Sequence, residues 1–236
     1  LAILLMAWTV DVLLRGGTVV VCDAENTVIE GDLLVRGGRI AAVGKAAERA
    51  ALTPARVLDA RGCAIMPGLV QAHVHLCQVL FRGMADDLPL LEWLRHRIWP
   101  FEAAHDEKSA RASAELGLLE MMRAGTTTIL DMGTVRAHDA IFDACLRSGI
   151  RAFSGKTMMD IGDGVPRGLR ETTRASLDES DRLCRDWDGR AGGRLRYAYA
   201  PRFILSCSEK LVRGAAECAA SYRALLNSHV AERPRE

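Results

Sequence analysis

The sequence predicts an α/β protein. A small β-sandwich-like domain, residues 1–65, precedes a parallel-sheet domain, residues 66–236, that reads as an incomplete (β/α)8 barrel. Three observations carry this. Residues 10–60 hold short β-rich runs punctuated by glycine pairs. From residue 67 onward, apolar β-rich runs alternate with stretches of helical spacing. Five such strand candidates occur where a full barrel has eight.

In the first domain, Val10 to Leu14 leads to Gly16-Gly17, and Thr18 to Val21 follows. A polar turn at Asp23 to Asn26 comes next, then Asp32 to Val35, Gly37-Gly38 and Ile40 to Gly44. Strands at this spacing predict a small antiparallel unit. In the second domain the strand candidates are 69–76, 126–131, 150–155, 195–200 and 225–230. Helix candidates lie near 88–97, 106–124, 137–148, 171–187 and 208–223. Asp106 is placed to cap the second of these, and Gly125 to end it.

Composition narrows the function classes. Lys+Arg 31 against Asp+Glu 30 leaves no charge excess to favour nucleic acid or a membrane surface. The seven cysteines are odd in number, scattered and free of any C-x-x-C pair, which argues against a disulfide framework and for a reducing cytoplasm. Leu1 to Met6 is too short an apolar run to span a bilayer and lacks the basic start of a signal peptide. Met6 is read as the natural start, with residues 1–5 an extension.

Chemistry concentrates in Met66-Pro67-Gly68-Leu69-Val70-Gln71-Ala72-His73-Val74-His75. Strand side chains alternate faces, so His73 and His75 aim two imidazoles at one point, as metal chelation requires; the plain alternative is two unrelated polar residues where a strand meets a loop. His229 ends the fifth strand candidate, and carboxyl ends of barrel strands converge on one face. It is therefore expected to join them. Glu232, three residues on, could move a proton there. His96, His105 and His138 fall on or beside helix candidates and are expected to be ordinary surface or packing residues.

The run from Pro67 to His75, the segment Phe81 to Leu94 and the A-G-T-T-T run Ala124 to Thr128 resemble the amidohydrolase superfamily. More narrowly they resemble its guanine, adenosine-derivative and triazine hydrolase branch. Arg151 to Lys156 with Met159-Asp160, Pro201 to Glu209 and Ser228 to Glu232 resemble the guanine deaminase pattern. The resemblance covers Val10 to Glu236. It implies a metal-dependent TIM barrel with one divalent metal, zinc or iron, held by His73, His75 and His229. It also implies hydrolytic loss of ammonia from a small purine-like substrate, with Glu232 protonating the ring nitrogen.

Gln78 and the pair Arg202-Phe203 fall where guanine deaminases hold the purine. A guanidinium can donate to a purine carbonyl, or simply form a surface salt bridge. Phe203 can pack on the ring or belong to the core, and Trp93 can wall the pocket or pack inside. A guanine-type base is favoured. An adenosine derivative, a chlorotriazine or a non-catalytic remnant stays open. The H-x-E and P-C-x-x-C pair of cytidine-deaminase zinc sites does not occur as a set. Barrels of this family often pair, so a homodimer is expected. The family also uses a later histidine and aspartate. No histidine follows His229 and the last aspartate is Asp188, so the expectation is a truncated chain with little or no turnover.

Overall fold

The computed structural model describes residues 11–50 and 56–230. The chain divides into two compact units, with the break after Gly68.

In the first unit, β1 (Val12–Val20), β2 (Val28–Arg36), β3 (Arg39–Val43), β4 (Arg56–Asp59) and β5 (Ala64–Ile65) form one sheet of order β3-β2-β1-β4, with β5 also on β1. The first three are antiparallel, as expected, but β4 and β5 run parallel to β1, so the sheet is mixed. Gly16-Gly17, expected as a turn, lies inside β1. The register slips between Leu14 and Gly17, and the Gly16 N–H donates to the Asp32 carboxylate at 2.8 Å. Gly16 sits at φ +73°, so the pair makes a bulge that bends one strand instead of separating two. A short helix, α1 (Lys45–Ala50), was not foreseen; its Ala47 packs with Leu13 and Leu34.

The second unit is a curled parallel sheet of order β11-β10-β8-β7-β6, consistent with part of a (β/α)8 barrel. Its strands are β6 (Leu69–Val74), β7 (Thr126–Met132), β8 (Arg151–Gly155), β10 (Leu195–Pro201) and β11 (Leu225–Leu226), all paired in parallel. A further short strand, β9 (Thr157–Met158), continues β8 past Lys156 and also pairs with β10. The spatial order follows the chain because each strand is followed by a helix that returns the chain to the same end.

Local signals set the helix starts. Asp106 accepts the Ser109 N–H at 2.7 Å and Ser109 Oγ accepts the Asp106 N–H at 3.0 Å, a reciprocal cap on α4 (Glu107–Arg123). Thr172 and Ser208 cap the helices Thr173–Trp187 and Glu209–Tyr222. With the helix His138–Ser148, these cover one sheet face. Leu118, Phe142, Leu183 and Leu211 from the helices bury against Ile129, Ala152, Tyr197 and Tyr199 from the strands. Gly155 is required where β8 meets β10, since a Cβ there would lie 1.7 Å from the Ala198 carbonyl oxygen.

Two expected elements changed shape. The helix expected near 88–97 is α2 (Leu90–Trp93), then a π turn (Leu94–Ile98), then α3 (Trp99–Ala104). Pro100 has no N–H for the His96 carbonyl, and Arg97 Nη1 donates to that oxygen instead at 3.1 Å. The fifth strand, expected over 225–230, pairs only at Leu225–Leu226. Asn227 N–H still reaches the Tyr199 oxygen at 2.8 Å, but His229 N–H turns to the Arg202 oxygen at 2.9 Å.

Candidate metal centre

The site forms where the strands of the second unit end. Val74 closes β6, so His73 lies inside the strand and His75 one residue past it. A 3-10 turn (Leu76–Phe81) follows and carries Gln78. Pro201 closes β10, which puts Arg202 and Phe203 at the next exit, and His229 lies three residues beyond β11.

The three histidines meet. His229 Nε2 stands 3.3 Å from His73 Nε2 and 3.2 Å from His75 Nε2, and all three nitrogens lie within 4.8 Å of one another. Tetrahedral zinc with bonds of about 2.0–2.1 Å separates its ligand nitrogens by about 3.3–3.4 Å. The protonation pattern agrees. His75 Nδ1 donates to the Met132 oxygen at 2.7 Å, and His229 Nδ1 to the Arg202 oxygen at 2.9 Å. Each ring thereby turns an Nε2 lone pair towards the common point. Lone pairs this close repel unless a cation sits between them, so the donor set fits a divalent metal. Burial, then the nearby Arg202 charge, hold the His75 imidazole down to about 3, neutral as a ligand must be.

A cleft of about 440 Å³ opens over the cluster. His73, His75 and His229 line it together with all four residues expected at the substrate: Gln78, Trp93, Arg202 and Phe203. Phe203 is both wall and core, being 5% exposed and packed with Leu94 and Met159. Trp93 likewise lines the cleft and packs on that cluster. Arg202 is not in a surface salt bridge. It is 3% exposed and clamps Glu102, with Nη1 to Oε2 at 2.6 Å and Nη2 to Oε1 at 3.2 Å. Gln78 Nε2 donates to the same Oε1 at 2.8 Å. Glu102 therefore organises both polar walls of the cleft, and the sequence reading missed it. The only hint was its place as the one charged residue of the otherwise apolar run Trp99 to Ala104. Glu232 lies outside the described residues.

The remaining histidines divide. His96 is exposed. His105 bridges Cys77 O at 2.7 Å and Ser109 Oγ at 3.0 Å, holding the 3-10 turn against α4. His138 is buried and contacts Ser154 Oγ at 3.1 Å. No described helix is long and apolar enough to cross a membrane.

Comparison with known proteins points the same way. Residues 64–236 match the Amidohydrolase family. A 5-methylthioadenosine/S-adenosylhomocysteine deaminase of Thermococcus onnurineus is 35% identical over 223 residues, 94% of this chain and 50% of that protein. The E. coli guanine deaminase structure is 30% identical with TM-score 0.82, covering 95% of this chain and 54% of that one. An adenosine deaminase from Xanthomonas campestris with bound zinc is 28% identical with TM-score 0.85, covering 97% and 51%. The chain thus spans about half the length of the relatives it matches. With the three-histidine cluster at the strand ends, these matches make the chain a member of the amidohydrolase family.

Proposed function

We propose that this chain supplies the metal-binding histidines and the purine-facing wall of a hydrolytic deaminase, and that a guanine-type base is its substrate. One observation carries the reading. The three-histidine cluster shares its cleft with Gln78 and Arg202, both anchored on the single buried carboxylate of Glu102. Glu102 uses two of the five guanidinium N–H groups and fixes the guanidinium plane, leaving further donors for a purine carbonyl. Phe203 offers an apolar surface to the flat ring. Glu232 is assigned proton transfer to the ring nitrogen, being three residues from His229. A divalent cation held by His73, His75 and His229 supplies the Lewis acidity that makes water nucleophilic near neutral pH.

A second reading, a 5′-modified adenosine as substrate, is favoured by the 35% identity to a deaminase of such nucleosides. A substrate panel on the longest natural polypeptide carrying this chain separates the two. It should hold guanine, 8-oxoguanine, 5′-deoxyadenosine, S-adenosylhomocysteine and a chlorotriazine, with ammonia and chloride release measured. Guanine should be turned over at least about tenfold faster than the nucleosides, the order of one well-placed polar contact. A preference for the nucleosides would reject the guanine reading in favour of the second. Residues 1–236 alone should bind about one zinc and release little or no ammonia, and His75→Ala or His229→Ala should abolish that zinc binding.

A further inference from the structure

Behind His75, at the ends of β6, β7 and β8, lies a polar network that the proposed chemistry does not use. Asp131 is fully buried. Its Oδ1 accepts the Leu76 N–H at 2.8 Å and its Oδ2 accepts the Ser154 hydroxyl at 2.6 Å. Ser154 Oγ has one proton and gives it to Asp131, so it accepts the Nε2–H of His138 at 3.1 Å. His138 Nδ1 is then a buried acceptor with no partner among the described residues. The register aligns the members, with Val74 beside Asp131 and Asp131 beside Ser154. Gly133 makes room, because a Cβ there would lie 2.1 Å from His138 Cε1 and 3.2 Å from Asp131 Oδ2.

Desolvating a carboxylate with only neutral partners is costly, and an apolar side chain would fill the same place more cheaply. What the carboxylate does is specific. It holds the peptide that immediately follows His75, while the carbonyl of the next residue, Met132, takes the His75 ring N–H at 2.7 Å. Two successive residues of β7 thus fix the backbone and the ring of one imidazole.

We propose that Asp131 is a positioning residue for the metal centre, braced by Ser154 and His138, and that it sets the affinity of the three-histidine site for its cation. This rests on the metal reading above. Groups that orient a metal-ligating histidine typically change affinity about 10–100-fold when lost.

The experiment is zinc affinity of the purified chain, by competition with a chelating dye, beside far-UV circular dichroism and the visible spectrum of the cobalt-substituted protein. Asp131→Leu should weaken zinc about 10–100-fold and shift the cobalt bands. Asp131→Asn should stay within about threefold of the parent. Its carbonyl still accepts the Leu76 N–H. Its amide donates to Ser154, whose hydroxyl then turns to His138 as the imidazole proton moves to Nδ1. This rescue distinguishes positioning from loss of the carboxylate charge. If Asp131→Leu does not fold, Ser154→Ala takes its place and should weaken zinc several-fold. Folded Asp131→Leu or Ser154→Ala binding zinc like the parent, with unchanged cobalt bands, overturns the proposal alone. A parent chain that binds no zinc overturns the metal reading with it.

Discussion

The Glu102–Arg202 pair invites the sharpest perturbation. Both side chains are buried, 1% and 4% exposed, and the clamp is bidentate at 2.6 and 3.2 Å. Replacing Glu102 with Leu leaves a guanidinium without its counter-ion and strips Gln78 of its acceptor. Replacing Arg202 with Met leaves a buried carboxylate held by Gln78 alone among these partners. Breaking one side of such a pair costs about 3–5 kcal/mol, while exchanging both for apolar groups is often neutral. The expected outcome is a strongly non-additive cycle. Each single variant loses about 3–5 kcal/mol, and the double variant lies within about 2 kcal/mol of the parent, not the roughly 6–10 kcal/mol below it that addition demands. Urea unfolding followed by circular dichroism measures all four corners. Single variants costing under about 1 kcal/mol each, with additive effects, would refute the reasoning, because they would show a hydrated pair.

Three further outcomes are expected. Gly155→Ala should abolish cooperative unfolding, since the clash is with the Ala198 backbone oxygen and cannot be relieved by a rotamer change; a sigmoidal melt close to the parent's would contradict this. Burial holds the His138 imidazole down to about 3, so its neutral form stabilises the fold above about pH 6.5 and that contribution is lost as pH falls towards 3. Burial pushes the Asp131 carboxyl up to about 6, the opposite sign, so its contribution grows as pH falls below 6. His138→Gln should therefore flatten acid destabilisation and Asp131→Asn should steepen it, by up to about 1.4 kcal/mol per pH unit, measured as midpoints of urea unfolding between pH 6.5 and 4.5.

Much of this was legible from local pattern. The i, i+2 spacing of His73 and His75 carries its own geometry, because a strand repeats every two residues wherever it sits. Asp106 announces a helix start through a contact only three residues long. Gly16-Gly17 was misread because a glycine pair signals positive φ without saying whether a turn or a bulge uses it. The break after Trp93 was not read from the sequence; the structure shows a π turn there, with Trp93 before it and Leu94 within it lining the cleft.

Short elements such as α1, β5 and β9 escaped it; by itself the sequence determined the alternation of the five barrel strands with helices and the metal-type spacing of its histidines. Each of these rests on side-chain period, turn chemistry or propensity within a few residues. Only the tertiary structure decided that Glu102, 100 residues from Arg202 and 24 from Gln78, anchors the cleft. It alone brought Asp131, 55 residues from Leu76, behind His75. Those contacts exist because parallel strands must return to the same end before they pair. Strand ends far apart in sequence then become neighbours, and no local pattern records which polar groups will meet there.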